Sequence, residues 1–288
     1  MRILVTGAFG QLGTVLCRIA SDDFDVIETD MRIPDGRNGI RIDIRDFPML
    51  KNIINITSPD VIVNLAAMTN VDGCEQNPLL AREINTAGVQ HLCDAFDGKI
   101  VHLSTDYVFD GQDGPYSEES QVNPISVYGE TKLASERILL YSNPSHLVIR
   151  GNVIYDDLKS TQASFLNWVV DSLEDRKEIY VVNDQINNPT WTVSMADIIL
   201  LCIEKSVSGI VHWADADLLN RYDFALKIAD KFELDSKLIK PITTDELEQD
   251  ASRPLQSGLK TDYLNQLLGI IPPSIDDCLN AILERRSE

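Results

Sequence analysis

No apolar run in the chain approaches the ~18 residues that a membrane-spanning helix needs. The N-terminal stretch Met1–Thr6 is closed by Gly7 too early to form the core of a signal peptide. A cytoplasmic protein with no membrane partner is therefore expected. Positive charge is also scarce: 25 Lys and Arg stand against 45 Asp and Glu, a formal net charge of −20. A field of that sign repels polyanions, which argues against nucleic acid as a partner. An anionic small substrate gains nothing from it either, so any phosphate site must be built locally from backbone N–H groups and a few arginines. The five cysteines (Cys17, Cys74, Cys93, Cys202, Cys278) are odd in number, contain no C-x-x-C pair and share the chain with only four histidines. That pattern supports neither a disulfide framework nor a zinc site, and all but Cys74 fall at apolar helical positions, where a thiol behaves as a small hydrophobe.

What the chain does have is length and apolar content, 288 residues at 44% hydrophobic, enough for one large α/β domain or a main domain carrying a smaller one. Short β-branched runs recur at Ile3–Thr6, Asp25–Thr29, Val61–Leu65, Ile100–Ser104 and Leu147–Arg150. Helical periodicity lies between and beyond them, at Gln11–Ser21, Leu79–Phe96, Ser126–Tyr141 and Ser194–Lys205, the last with a serine in the N-cap position. Parallel strands need crossovers and helices usually supply them, so the alternation predicts a doubly wound parallel sheet. After Arg150 the rhythm loosens. A strand-like run at Ile179–Val182, a helix after Asn220, another after Ser274 and junctions at Pro189, Pro241, Pro254 and Pro272-Pro273 suggest a smaller, partly discontinuous C-terminal lobe.

The first strand runs into Gly7-Ala8-Phe9-Gly10-Gln11-Leu12-Gly13, which opens the first helix. A G-x-x-G-x-x-G loop in that position suits a dinucleotide: one glycine makes the tight turn, one admits the pyrophosphate, one lets helix pack on strand, and the helix N-terminus faces the anion. This is a Rossmann arrangement. Asp30 ends the second strand, where an acid accepts hydrogen bonds from the adenosine ribose and repels a 2′-phosphate, so NADH is favoured over NADPH, with Arg32 nearby as a counterweight. Asp43 and Ile44 are placed to bracket the adenine. Ala66, Ala67 and Met68, after the third strand, are candidates for close approach to the cofactor. Residues 1–150, with 191–215 returning to them, are read as the dinucleotide-binding domain, and 151–190 with 216–288 as the substrate lobe.

Tyr128-Gly129-Glu130-Thr131-Lys132 opens a helix, and the i, i+4 spacing sets Tyr128 and Lys132 one turn apart on one face. A phenol near pKa 10 is a reluctant acid-base group, but an adjacent ammonium stabilises its phenolate. Ser104-Thr105-Asp106 closes the fourth strand, and ligands bind at strand C-termini in open α/β sheets. Thr105 is placed to polarise a carbonyl. Asp106 is either part of the site or a turn acid.

These segments resemble the dTDP-4-dehydrorhamnose reductase family, of the extended short-chain dehydrogenase/reductase superfamily, nearly end to end. The resemblance rests on GAFGQLG (7–13), PDVIVNLAAMTNVDGCE (59–75), STDYVFDG (104–111), NPISVYGETKLASE (123–136), NDQINNPT (183–190) and ASRP (251–254). It implies hydride transfer from NAD(P)H to C4 of a nucleotide-linked 4-keto-6-deoxysugar, most directly dTDP-4-dehydro-L-rhamnose. Tyr128 would act as proton donor, Lys132 would tune it and bind ribose, and Thr105 would hold the carbonyl oxygen. Arg253 becomes the candidate contact to the diphosphate. Where the family typically reads Arg-Thr-Ser-Trp-Val-Tyr, this chain reads Arg150-Gly151-Asn152-Val153-Ile154-Tyr155, so Val153 stands in place of the aromatic that would face the sugar. Family members differ in metal dependence and oligomeric state, which leaves magnesium and a homodimer open. Two rivals share the fold. One is a sugar-nucleotide dehydratase or epimerase, although Tyr107 occupies the slot of the glutamate in the dehydratases' Thr-Asp-Glu motif. The other is a non-catalytic subunit like the β subunit of methionine adenosyltransferase.

Overall fold

Runs of β-branched residues that are buried on both faces form the strands at the centre of the molecule: Val61–Asn64 and Leu147–Gly151 have no exposed residue at all, as a sheet covered by helices on each side requires. A computed structural model describes residues 1–158 and 164–287. Its main sheet contains β1 (Arg2–Thr6), β2 (Asp25–Asp30), β3 (Ile40–Arg41), β4 (Val61–Asn64), β5 (Lys99–Thr105), β6 (Leu147–Gly151) and a last strand, Gly209–Trp213. All seven are parallel, in the spatial order Gly209–Trp213, β6, β5, β4, β1, β2, β3. The fold is thus the doubly wound α/β sheet expected. The chain steps from β1 to β2 and β3 on one side, then crosses back to β4 on the other, which opens a crevice at the carboxyl ends of β1 and β4.

Each face carries its own core. Helix α1 (Gln11–Ala20) and the helix Thr192–Glu204 cover one face, with Leu12, Val15 and Leu16 packed among Met195, Ile199 and Ile203. Helix α2 (Phe47–Thr57) covers the other with Leu50 and Ile54, beside Val89, Leu92 and Leu139. A third cluster belongs to the C-terminal half, where Leu166, Val170, Phe224, Ile228, Leu279 and Ile282 meet. In that half Ile239–Ile242 pairs with Ile179–Val182, and Leu219–Asn220 pairs with Ile186–Asn187.

Two features differ from the pattern reading. The helix expected to start with Ser194 as its N-cap begins at Thr192 after Trp191. Ser194 is buried instead, donating to Asp215 Oδ1 at 2.6 Å while Trp213 Nε1 donates to it at 2.9 Å; a buried carboxylate claims the hydroxyl that an N-cap would have used. Helix α2 and the strands β3 and Gly209–Trp213 were not evident from periodicity. A two-residue strand has no period, and α2 announces itself mainly through its cap, Asp46, which accepts from Met49 N.

Candidate active site

The crevice is a cleft of about 760 Å³. Gly7, Phe9, Gly10, Gln11, Leu12 and Gly13 form one wall, joined by Asp30, Asp43, Ile44, Ala66 and Ala67. Glycine is required at two of these positions. Gly7 has φ of +72°, and a Cβ there would stand 2.9 Å from Ala66 N; a Cβ on Gly13 would stand 2.2 Å from the Gly7 carbonyl oxygen. Helix α1 starts at Gly10 with no side-chain cap, so its first N–H groups face the cleft unclaimed by a capping side chain. Two buried polar atoms of cleft residues, Gln11 Nε2 and Asn152 Oδ1, lack hydrogen-bond partners among the described residues. Uncapped amides and orphaned polar atoms fit a polyphosphate-containing cofactor.

Asp30 is committed to the loop itself. Its Oδ2 accepts from Phe9 N at 3.1 Å and its Oδ1 from Arg32 N at 3.1 Å. The Phe9 ring turns toward the 36–39 turn, with the Arg37 guanidinium 5.2 Å from its centre. Asp43 is held by Arg45 through contacts of 3.0 and 2.7 Å, which keep its carboxyl below the usual range. Met68, unlike Ala66 and Ala67, is not on the cleft wall. Its N–H donates to Asn85 Oδ1 at 2.7 Å and its carbonyl accepts from Asn85 Nδ2 at 3.1 Å, so a buried asparagine in the π-helical turn Glu83–Ala87 uses the backbone offered to the cofactor.

The other wall comes from the end of β5 and the helix Val127–Ser142. Ser126 caps that helix by accepting from Gly129 N at 3.3 Å, and Glu75 accepts from Val127 N at 3.0 Å. Tyr128, Thr105 and Asp106 all line the cleft. The Tyr128 phenol has its pKa pushed up, mainly by burial, with Thr105 pulling the other way. Burial likewise lifts the Asp106 carboxyl to about 6 against the pull of hydrogen bonds from Ser257 and Thr105; Ser257 Oγ donates to its Oδ2 at 2.5 Å. Lys132 lies just behind the wall, fully buried, donating to the Leu103 carbonyl at 2.7 Å. Burial brings its pKa down to about 8, with Glu136 opposing. The cysteines offer no alternative nucleophile: burial lifts Cys17 and Cys202 to about 12 and Cys74 to about 11.

A cleft with this glycine loop and this Thr-Tyr-Lys set can be compared with known proteins. The family described as RmlD substrate binding domain matches residues 1–287. The chain belongs to that family. A dTDP-4-dehydrorhamnose reductase from Aggregatibacter actinomycetemcomitans is 33% identical over 288 residues, covering 94% of each chain. The crystal structure of a dTDP-4-dehydrorhamnose reductase from Clostridium acetobutylicum superposes with a TM-score of 0.90 at 33% identity, covering both chains completely. One from Bacillus anthracis, solved in complex with NADP, also reaches 0.90, at 27% identity and 99% of each chain.

Against this reductase-family frame, the substrate side departs from expectation in one respect. Arg253 is buried, with Nη2 on Asp72 Oδ2 at 2.7 Å and Nη1 on the Ala251 carbonyl at 2.8 Å, and it is not among the cleft residues. It ties the ASRP segment to the 59–75 segment. Two arginines do line the cleft, Arg45 beside Asp43 and, on the substrate side, Arg221, which donates to Gln185 Oε1 at 3.1 Å and whose charge acts on both Asp106 and Tyr107. No local signal marked it, since it reads as the first residue of the helix capped by Asn220. Val153 does line the cleft, and so does Tyr107, whose ring meets that of Tyr128 edge-on at 5.6 Å.

Proposed function

We propose that this protein is a dTDP-4-dehydrorhamnose reductase-like oxidoreductase that uses NAD(P)H to reduce the C4 keto group of a nucleotide-linked 4-keto-6-deoxysugar, with dTDP-4-dehydro-L-rhamnose as the first candidate substrate. The observation that carries this reading is the Tyr128 phenol, which shares a cleft wall with Thr105 and faces an uncapped dinucleotide loop. Reduction of a sugar-nucleotide keto group accords with the family's named reductases.

The glycine loop and the N-terminus of α1 would hold the pyrophosphate, and Asp30 the adenosine ribose. When bound, the reduced nicotinamide supplies hydride to the carbonyl carbon. Thr105 turns its hydroxyl from Asp106 Oδ1 to the carbonyl oxygen and positions it against Tyr128. Burial keeps Tyr128 protonated at neutral pH, so it serves as the acid that gives its proton to the oxygen as negative charge develops there. The phenolate left behind is stabilised by the Lys132 ammonium one helical turn away, and is reprotonated from solvent. Asp106 and Arg221 lie on the sugar-nucleotide side, with Arg221 a cation placed for the diphosphate.

In this reading residues 1–150 and 191–215 serve the cofactor, and 151–190 with 216–288 serve the sugar nucleotide. Asp30 favours NADH. No helix among the described residues is long and apolar enough to cross a membrane, and the cytoplasm is the compartment proposed. Among the described residues no group of three or more His, Cys, Asp or Glu side chains gathers as a metal site.

The test is oxidation of NADH and of NADPH, followed by loss of reduced-nicotinamide absorbance with dTDP-4-dehydro-L-rhamnose. Turnover to dTDP-L-rhamnose is expected. Dinucleotide binding without oxidation would contradict the proposal.

A further inference from the structure

The short helix α3 (Val71–Gln76) is held from two sides. Of its six residues only Cys74 is buried, so packing alone does not fix its place. Polar contacts do. On one side Asp72 takes hold of the C-terminal half: its Oδ1 accepts from Ala251 N at 3.0 Å and its Oδ2 from Arg253 Nη2 at 2.7 Å. Arg253 Nη1 donates to the Ala251 carbonyl at 2.8 Å, which closes a ring of three contacts around a side chain that is 6% exposed. Gln76 adds a contact to Asp250 in the same segment. On the other side Glu75 Oε2 accepts from Val127 N at 3.0 Å, and Val127 is the residue before Tyr128.

The Val127 N–H is among the first amides of its helix, which have no acceptor within the helix itself. Ser126 caps Gly129 N and leaves Val127 N to Glu75. A carboxylate suits that place, because a charged acceptor makes the stronger hydrogen bond and negative charge is favoured at a helix N-terminus. Where that carboxylate sits is set by α3, on which Asp72 and Glu75, three residues apart, are neighbours. A shift of α3 at Asp72 therefore moves Glu75 and the amide it holds. We propose that Arg253 is a positioning residue of the reductase: through Asp72 it anchors α3, and through Glu75 it fixes the start of the helix Val127–Ser142 and so the place of Tyr128 in the cleft.

The ASRP segment then has a task other than contact with the sugar nucleotide. Both terminal nitrogens of Arg253 are committed, to Asp72 and to the Ala251 carbonyl, and the residue does not line the cleft. Its effect on the reaction comes through geometry. A reacting group misplaced by about 1 Å can cost a hundredfold in rate, and a tyrosine at the second position of a helix inherits any error in where that helix starts. This inference rests on the reading of Tyr128 as the proton donor.

Two measurements test it. Amide hydrogen exchange is followed on the protein without substrate. In Arg253→Met the Val127 amide should exchange roughly tenfold faster or more, the factor that loosening one hydrogen bond to a charged group implies, and Glu75→Ala should do the same. Unchanged exchange at Val127 in Arg253→Met would overturn the proposal. Steady-state kinetics then separate positioning from binding. Arg253→Met should lose roughly tenfold in kcat with an unchanged KM for the sugar nucleotide. Glu75→Ala should lose at least as much, whereas Glu75→Gln, which keeps an oxygen for the Val127 N–H, should recover most of the loss. Wild-type kcat in Arg253→Met, with or without a raised KM, would overturn the proposal, as would equal impairment of the two Glu75 variants. If Arg253→Met does not fold, Asp72→Asn, which keeps an acceptor for Ala251 N and loses the ion pair, replaces it in both measurements. Because the exchange is read without substrate, failure of the anchor is distinguishable from failure of the reductase reading, which would show as no turnover by the wild type.

Discussion

Gly129 rests on the backbone of Tyr107 so closely that a Cβ would stand 2.2 Å from the Tyr107 carbonyl oxygen. The contact joins the residue after Tyr128 to the residue after Asp106. It seats the start of the helix Val127–Ser142 on the end of β5, which sets Tyr128 and Thr105 on the same cleft wall.

Gly129→Ala tests that seating. Alanine in a helix is ordinarily about 1 kcal/mol better than glycine, so a gain is expected if only propensity counts. The clash reverses the sign: we expect a loss of about 1–3 kcal/mol in urea unfolding, together with reduced kcat as Tyr128 moves off Thr105. A stabilised, fully active variant would contradict the geometry.

Asp30 sets the coenzyme preference in this account. Asp30→Asn keeps a side-chain oxygen for the Phe9 N–H but removes the charge that a 2′-phosphate would meet. The ratio of kcat/KM for NADPH to that for NADH should rise by roughly tenfold or more, since one unit charge at ~4 Å is worth about 1 kcal/mol in bulk water and about 4 kcal/mol near a protein surface. An unchanged ratio would place the discrimination elsewhere.

How far the sequence could be read divides along physical lines. Strands buried on both faces are continuous β-branched runs, and β1, β4, β5 and β6 stand out for that reason. The glycine loop and the Tyr128–Lys132 spacing are local, and local patterns survive without a structure. Contacts between distant segments do not. Arg253 looks like a free cation until Asp72, remote in sequence, is seen to hold it, while Arg221 looks like a surface residue until its helix folds back over the cleft. The buried polar row Thr6, Asn64 and His102 is hidden for another reason: the three are register partners on adjacent parallel strands, which no spacing within one segment reveals.

Lys132 gives the reaction a basic limb. Burial lowers its pKa to about 8, and the ammonium is the form that supports the Tyr128 phenolate, so kcat for reduction should fall as pH rises through about 8. The same shift has a stability consequence of opposite sense. The unfolded chain holds this proton up to the ordinary lysine pKa of 10.5, so it binds more protons between the two values, and stability from this group rises with pH across that window. Activity independent of pH from neutrality to about 10 would remove Lys132 from the role assigned.

Asp106 behaves in the opposite sense. Its folded pKa of about 6 exceeds the ordinary 3.8, so its contribution to stability is full below the lower value and is lost as pH rises to the upper one. Asp106→Asn should therefore gain on the wild type by about 1–3 kcal/mol between those pH values, with a constant difference above them. Chemical denaturation at several pH values measures this, and a pH-independent difference would contradict the buried ionisation.

The most direct test is Tyr128→Phe, assayed with dTDP-4-dehydro-L-rhamnose and saturating reduced nicotinamide. If Tyr128 is the proton donor, the variant keeps its fold and its dinucleotide affinity, holds KM for the sugar nucleotide nearly unchanged, and loses between about a hundredfold and ten-thousandfold in kcat. A variant that reduces the sugar nucleotide at the wild-type rate would show that the proton comes from another group and would contradict the account at its centre.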